Sequence, residues 1–361
     1  MSNSISAAEI AAADPFARFC FARKQSAFLL SLWVFLIGLA YMFGASAWFG
    51  VLLPEGKLRA SLADVFNQVN FLFIFPAAGY YFLWQFHGLA RAYSAVLALL
   101  PAGRAEAVAA ELRENHRRCP WWLAGFLVGL LGVGLGLVDN FGKLGLFWYS
   151  KNFFMIFGIQ AARFFALYVI INAIVLHLVS SYNFNRLYRD ITLIVSVADT
   201  PQTEAFAQIS AYSLSFAALG AIAGLNLGLQ PVLSTIFPLE YAIFCGLYFT
   251  LVPSGFFLPF IQARKKMVET KDSAMLVLNV KYQREYETLM DKIRAGAPAA
   301  EAEEVSTRIK AIEDAIALTE KAPSWPFEML SVYRMGVTVI LPFLIALINF
   351  IPVLKEVFLI K

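Results

Sequence analysis

Seven stretches of this chain are each apolar enough and long enough to cross the hydrocarbon core of a bilayer, and that limits the fold more than any other feature. The last is residues 333–351, YRMGVTVILPFLIALINFI. About 20 residues at about 1.5 Å each cover a core of ~30 Å. In lipid the backbone must satisfy its own hydrogen bonds, so such stretches are helices. The other six fall at about residues 27–53, 66–89, 121–138, 152–180, 212–229 and 239–261. The expectation is an all-α polytopic membrane protein with seven transmembrane helices. An odd number of crossings puts the two termini on opposite sides. Composition agrees: 60% of the residues are hydrophobic and only 15% charged, where a soluble domain carries about 25% charge.

The charges set an orientation. Arg18, Arg23 and Lys24 precede the first span; Arg91, Arg104, Arg113, Arg117 and Arg118 follow the second; Arg264, Lys265 and Lys266 follow the sixth. By the positive-inside rule these segments face the cytoplasm, so the N-terminus is inside and the C-terminus outside. Ala45-Ser46-Ala47 resembles a signal-peptidase site, but the apolar run continues past it, which makes an uncleaved first span the expectation. The chain then divides into a cytoplasmic lead (1–26), a six-helix transmembrane region with cytoplasmic helix extensions (27–262), a cytoplasmic helical hairpin (263–326) and a final span with an external C-terminus (327–361). The location implied is the cell membrane or inner membrane, with lipids as neighbours.

Several patterns refine this plan. Asp14-Pro15 and Thr200-Pro201 read as helix starts. Gly125, Gly129, Gly132 and Gly136 lie on the third span, and Gly220, Gly224 and Gly228 on the fifth; small residues four apart let helices approach closely. The second span is expected to continue as a polar helix to Arg118. The fourth continues past Ser180 with Leu187, Ile191, Ile194 and Ala198 at helical spacing, so helices four, five and six all extend inward. In the hairpin, Val305, Ile309, Ile312 and Ile316 form a stripe flanked by charge. Acidic and basic residues balance there, as in a solvated pair of helices. Pro323-Ser-Trp325-Pro326-Phe327 marks a turn back to the bilayer.

Arg163 lies inside the fourth run, where an unpaired guanidinium is costly. It is either a ligand or permeation residue, paired with Asp139 or Glu240, or a side chain that snorkels to the outer interface. Asn70, Asn172, Asn226 and Asn349 fall in four different spans and either line a wet path or hydrogen-bond between helices. Pro76, Pro253, Pro259 and Pro342 are hinges or static kinks. Cys20, Cys119 and Cys245 are unclustered, and His87, His116 and His177 lack metal-ligand spacing, so neither a disulfide nor a metal site is expected. With no phosphate loop, nucleophile elbow or paired-Asp motif, the expectation is not an enzyme, with no cofactor. Nothing suggests nucleic acid.

The layout, together with Pro342-Phe343-Leu-Ile-Ala-Leu347-Ile-Asn349-Phe350 in the last span, resembles the seven-transmembrane superfamily of insect odorant and gustatory receptors. Their last helix often carries Thr-Tyr-x-x-x-Leu-x-Gln-Phe. Here the aromatic, the Leu, an amide and the final Phe are kept, and Pro replaces Thr. The resemblance implies a receptor-like, ligand-gated ion channel, a homotetramer held by a cytoplasmic coiled-coil-like anchor with the seventh helix lining the pore and a possible small ligand. On that reading Phe343, Leu347 and Phe350 form a hydrophobic constriction, Asn349 a polar ring beside it, and Pro342 the hinge. The alternatives are a transporter with a mid-membrane site near Arg163, or a non-conducting scaffold that recruits a partner through the hairpin.

Overall fold

A computed structural model describes residues 5–53, 60–142, 147–190, 200–233, 238–322 and 325, with 333, 334, 336, 337 and 344. For 102, 139–142, 190, 200–203, 228–233, 238–245 and 247 it describes the backbone alone. The regular structure among these residues is all helical, with no strand.

Two short helices open the chain, α1 (Ala7–Ala11) and α2 (Pro15–Ala22). Ser6 and Glu9 close a capping box on α1, and Asp14 caps α2 with Pro15 in its first turn. Next, α3 (Ala27–Leu39) starts at Ser26, whose hydroxyl accepts from Leu29 N at 3.1 Å, and continues through a π turn (Ala40–Ala45) into α4 (Ser46–Trp48). Gly50, at φ +64°, ends the rod. Then α5 (Val65–Val69), capped by Asp64, leads through a second π turn (Asn70–Ile74) into α6 (Phe75–Leu97). That turn falls just before Pro76, where the ring and the missing N–H would disturb a regular ladder.

The helix does not run on to Arg118 as expected. It stops at Leu97, and a separate α7 (Ala102–Arg118) follows. Pro101 supplies the reason, since it lacks an N–H and pushes Leu100 out of the helical region. After Pro120 comes α8 (Trp122–Gly142), then α9 (Phe153–Asp190) and α10 (Thr200–Leu233), which begins at the expected residue. Finally α11 (Pro238–Phe257) passes through a 3-10 turn (Leu258–Phe260) into α12 (Ile261–Arg294), and α13 (Ala299–Lys321) folds back after Gly296. Pro253 sits inside α11 without ending it, whereas Pro259 falls in the 3-10 turn.

Four runs of described residues are long and apolar enough to cross a membrane: Ala27–Trp48, Gly103–Val138, Phe153–Arg189 and Glu204–Leu227. In the second of these the apolar part is α8, because α7 carries seven charges from Arg104 to Arg118. Helix α6 is not among the four. Polar side chains such as Gln85 lower its hydropathy, and the fold explains how it tolerates a buried amide: α6 is the central helix, packed on α3, α9 and α10. In contrast, α3 and α8 are peripheral and carry bare apolar side chains, such as Phe28 at 68% and Ile37 at 65% exposure on α3 and Leu135 at 64% on α8. Exposed aliphatic and aromatic surface of that extent suits lipid and not water. The expected runs at 239–261 and 333–351 fall partly or mostly outside the residues described with side chains.

Close approach of α8 to α9 follows from the glycine row. A Cβ at Gly125 would overlap Asn172 Oδ1, one at Gly129 would lie 2.8 Å from the Phe164 ring, one at Gly132 would strike Leu167, and one at Gly136 would strike the Arg163 guanidinium. Gly220 and Gly224 do the same on α10 against Val252 and Tyr248 of α11. In the hairpin, Val305 and Ile309 are buried against α12. Lys292–Glu301 at 2.9 Å and Arg308–Glu285 at 3.1 Å bind its two helices on the outside. Such exposed pairs contribute roughly 0–1 kcal/mol each, so the buried stripe carries the association.

Candidate functional site: the polar seam of the bundle

Around α6 the interior is filled by Phe82, Phe86, Tyr93, Phe184, Tyr188 and Tyr212, all fully buried. Polar side chains are threaded through this aromatic filling. They begin at the amino-terminal lead, which is not a loose tail: Ile5, Ile10, Ala11, Ala17 and Cys20 are buried in the main core. Asp14 is fully buried between α2 and α9. Its Oδ1 accepts from Ala17 N at 2.9 Å and from the Tyr168 hydroxyl at 2.8 Å, while Oδ2 accepts from Asn172 Nδ2 at 3.3 Å. Asn172 Oδ1 in turn accepts from Gly125 N at 3.1 Å, so one amide joins the lead, α8 and α9. Burial pushes the Asp14 carboxyl above the usual carboxylate range, against the hydrogen bonds from the backbone of Ala17 and Phe16 and the Tyr168 hydroxyl that hold it down.

A second group lies where α6, α7 and α9 meet. Asn183 Nδ2 donates to the Tyr93 oxygen at 3.2 Å, and the Tyr93 hydroxyl lies 3.1 Å from His116 Nε2. Which of Tyr93 Oη and Nε2 donates depends on the tautomer of His116, whose Nδ1 is buried with no protein partner. His116, on α7, is fully buried, and loss of hydration lowers its pKa to about 4, so the ring is neutral. Deeper in the bundle, His177 Nε2 donates to Gly255 O at 2.6 Å, and the ring stacks on Phe216 with centroids 4.0 Å apart. Neither histidine meets a metal-ligating neighbour: no group of three His, Cys, Asp or Glu converges among the described residues.

Along one face of α6, Tyr81, Gln85 and Tyr93 recur at helical spacing toward α9 and α10. Both amide atoms of Gln85, Nδ1 of His177 and Ser213 Oγ are buried with no protein partner. Buried polar atoms are nearly always satisfied, so this seam is where internal water belongs. Its chemistry is that of hydrogen-bond relay and conformational locking between helices.

The expected pore residues Phe343, Leu347, Asn349 and Phe350, with the hinge Pro342, lie outside the described residues. So do the side chains of Asp139 and Glu240, the partners suggested for Arg163, and the backbone of Ile191, Ile194 and Ala198. Arg163 itself is half-buried at the α8–α9 contact, on the outer side of the bundle and away from the seam. Of the four intramembrane amides, Asn70 and Asn226 hydrogen-bond to each other and Asn172 joins Asp14 to Gly125. These three tie helices together. Trp325, from the expected turn, stacks on Arg264 with 4.3 Å from the guanidinium carbon to the ring centroid, which returns the chain to the base of α12.

Sequence reading missed Asp14, Tyr93, His116 and His177 as a connected set. Only the Asp14-Pro15 cap was visible, and a cap does not reveal what else the carboxylate accepts from. Comparison with protein families, curated proteins and solved structures gives no match to this chain.

Proposed function

We propose that this membrane protein is a homo-oligomeric ion channel with the layout of the insect odorant and gustatory receptor superfamily, in which seven helices cross the bilayer and the seventh, from each subunit, lines the path. The observation that carries this reading is that the interior around α6 is occupied by large side chains, so that a conducting path is best placed between copies. The 38-residue α9, the 34-residue α10 and the near-continuous α11–α12 rod support it, being longer than a bilayer needs. So does the hairpin, which leads through Trp325 toward the last apolar run. In this reading Phe343, Leu347 and Phe350 form a constriction that opens by wetting, and Asn349 a polar ring beside it. Planar-bilayer recording of the purified protein tests it. Asn349→Leu reduces unitary conductance and Leu347→Ser leaves a leaky pore; unchanged currents from both variants defeat the assignment.

A carrier with its site at Arg163 is the second reading, and the unpaired amide of the neighbouring Gln160 favours it. The peripheral place of Arg163 counts against it, since carriers bind substrate at the centre of the fold. Saturable, concentrative uptake into proteoliposomes without single-channel events would select it.

A further inference from the structure

We propose that Arg163 and Gln160, in the groove between α8 and α9, form a seat for the phosphate of a membrane phospholipid. The groove exists because Gly132 and Gly136 remove side chains from α8 where α9 crosses it. Into that space come the Arg163 guanidinium and Gln160 Oε1 together: a Cβ on Gly136 would collide with Arg163 Nη1 and lie 2.5 Å from Gln160 Oε1. Gln160 is 4% exposed, and both its amide atoms lack a hydrogen-bond partner. Arg163 makes no ion pair with any described carboxylate, and a guanidinium in a span is stable only with an anion or with water.

Depth and surroundings select the ligand. An arginine on a helix leans toward the helix N-terminus, which carries the charge from its place ten residues into α9 toward the end where Phe153 begins. Gly136 stands six residues from the end of α8, about 9 Å at 1.5 Å per residue, within reach of a headgroup. On both sides of the charge the protein surface is bare and apolar: Leu131, Leu135 and Val138 on α8, and Phe153, Phe154 and Phe157 on α9, of which Val138 and Phe153 are 73% and 75% exposed. A ligand with one phosphate and two acyl chains matches a single buried cation flanked by two apolar strips. Planar guanidinium and phosphate pair bidentately, which favours phosphate over a point anion. The unpaired amide of Gln160 offers the phosphate a second, uncharged donor beside the guanidinium. The seat requires only that the chain lie in a bilayer: its failure leaves conduction untouched, and silent recordings leave the seat untouched.

Native mass spectrometry of the delipidated full-length protein tests this, in micelles doped with phosphatidylglycerol, with diacylglycerol, or with inorganic phosphate in the buffer. The expected result is one phosphatidylglycerol per chain on the wild type, no diacylglycerol, and no displacement by millimolar phosphate. Arg163→Gln weakens the adduct at least tenfold and Arg163→Lys less. Gly136→Ala weakens it too, because the methyl moves the guanidinium without removing its charge; that variant carries the test if Arg163→Gln fails to give a monodisperse protein. Equal adducts in wild type and Gly136→Ala overturn the seat. So does diacylglycerol binding as well as phosphatidylglycerol, and displacement by phosphate overturns the lipid in favour of a free anion. An unchanged adduct in Arg163→Gln, with Asp139→Asn as destabilising as Arg163→Gln, assigns the guanidinium to Asp139, one turn beyond Gly136, and also overturns it.

Discussion

Acidification separates the folded from the unfolded protein at His116. The ring is sealed between α6, α7 and α9 with Nε2 on the Tyr93 hydroxyl, and its pKa is lowered to about 4 from 6.5 by loss of hydration. A depressed histidine leaves both states neutral above about pH 6.5, so it neither adds nor subtracts there. Below that, the unfolded chain takes up a proton that the folded chain refuses, and stability falls until the native ring also protonates near pH 4. At pH 5 the loss is about 2 kcal/mol by linkage, and it saturates near 3 kcal/mol. Asp14 works in the opposite sense: its raised carboxyl holds a proton in the folded state first, so stability rises as pH falls through its window. Only a difference between two proteins isolates His116. The comparison is wild type against His116→Gln, whose amide oxygen can accept from Tyr93 and cannot titrate. Unfolding by SDS in mixed dodecylmaltoside micelles, followed by tryptophan fluorescence, gives each stability at pH 7 and pH 5. The variant, less stable at pH 7, gains about 2 kcal/mol on the wild type at pH 5. A difference that stays the same at the two pH values refutes a buried neutral histidine.

Three further outcomes are expected in the same assay. Asp14→Ala removes a helix cap and strands the Tyr168 hydroxyl and the Asn172 amide, and should cost about 2–5 kcal/mol, whereas Asp14→Asn keeps the cap and costs less; equal losses would show that the retained cap contributes nothing. Gly125→Ala places a methyl against Asn172 Oδ1 and 2.6 Å from the Tyr168 carbonyl oxygen, and should cost about 1–3 kcal/mol, while Gly134→Ala, with nothing within 4 Å, stays near zero; similar values for the two would defeat the α8–α9 contact. Gln85→Met removes two unpartnered buried atoms and should leave stability unchanged or raise it by about 1 kcal/mol; a clear loss would mean that ordered water already satisfies the amide.

What could be read from the sequence was what depends on local spacing. The glycine rows, the Val305–Ile309 stripe and the cap at Asp14 each involve residues a few positions apart, and each stands where the spacing placed it. Helix α6 shows where that reading weakens. Hydropathy measures fitness for lipid, and much of this helix is covered by protein, so a residue such as the buried Gln85 costs it apolarity without cost to burial. The polar seam was hidden for another reason. Tyr168 and Asn172 lie 154 and 158 residues from Asp14, and Asn183 lies 90 from Tyr93. No periodicity announces pairs at such separations, and an isolated Asn or His in a span looks the same whether it faces a partner, water or a ligand.

The buried lead also sets an order of assembly during synthesis. Asp14 leaves the ribosome more than 150 residues before the hydroxyl and amide that receive it are made, roughly ten seconds or more at 5–20 residues per second. Until then the carboxylate has only its own helix cap and bulk water. A segment made long before α9 therefore takes its place late, docking onto α9 only once that helix has been threaded into the bilayer.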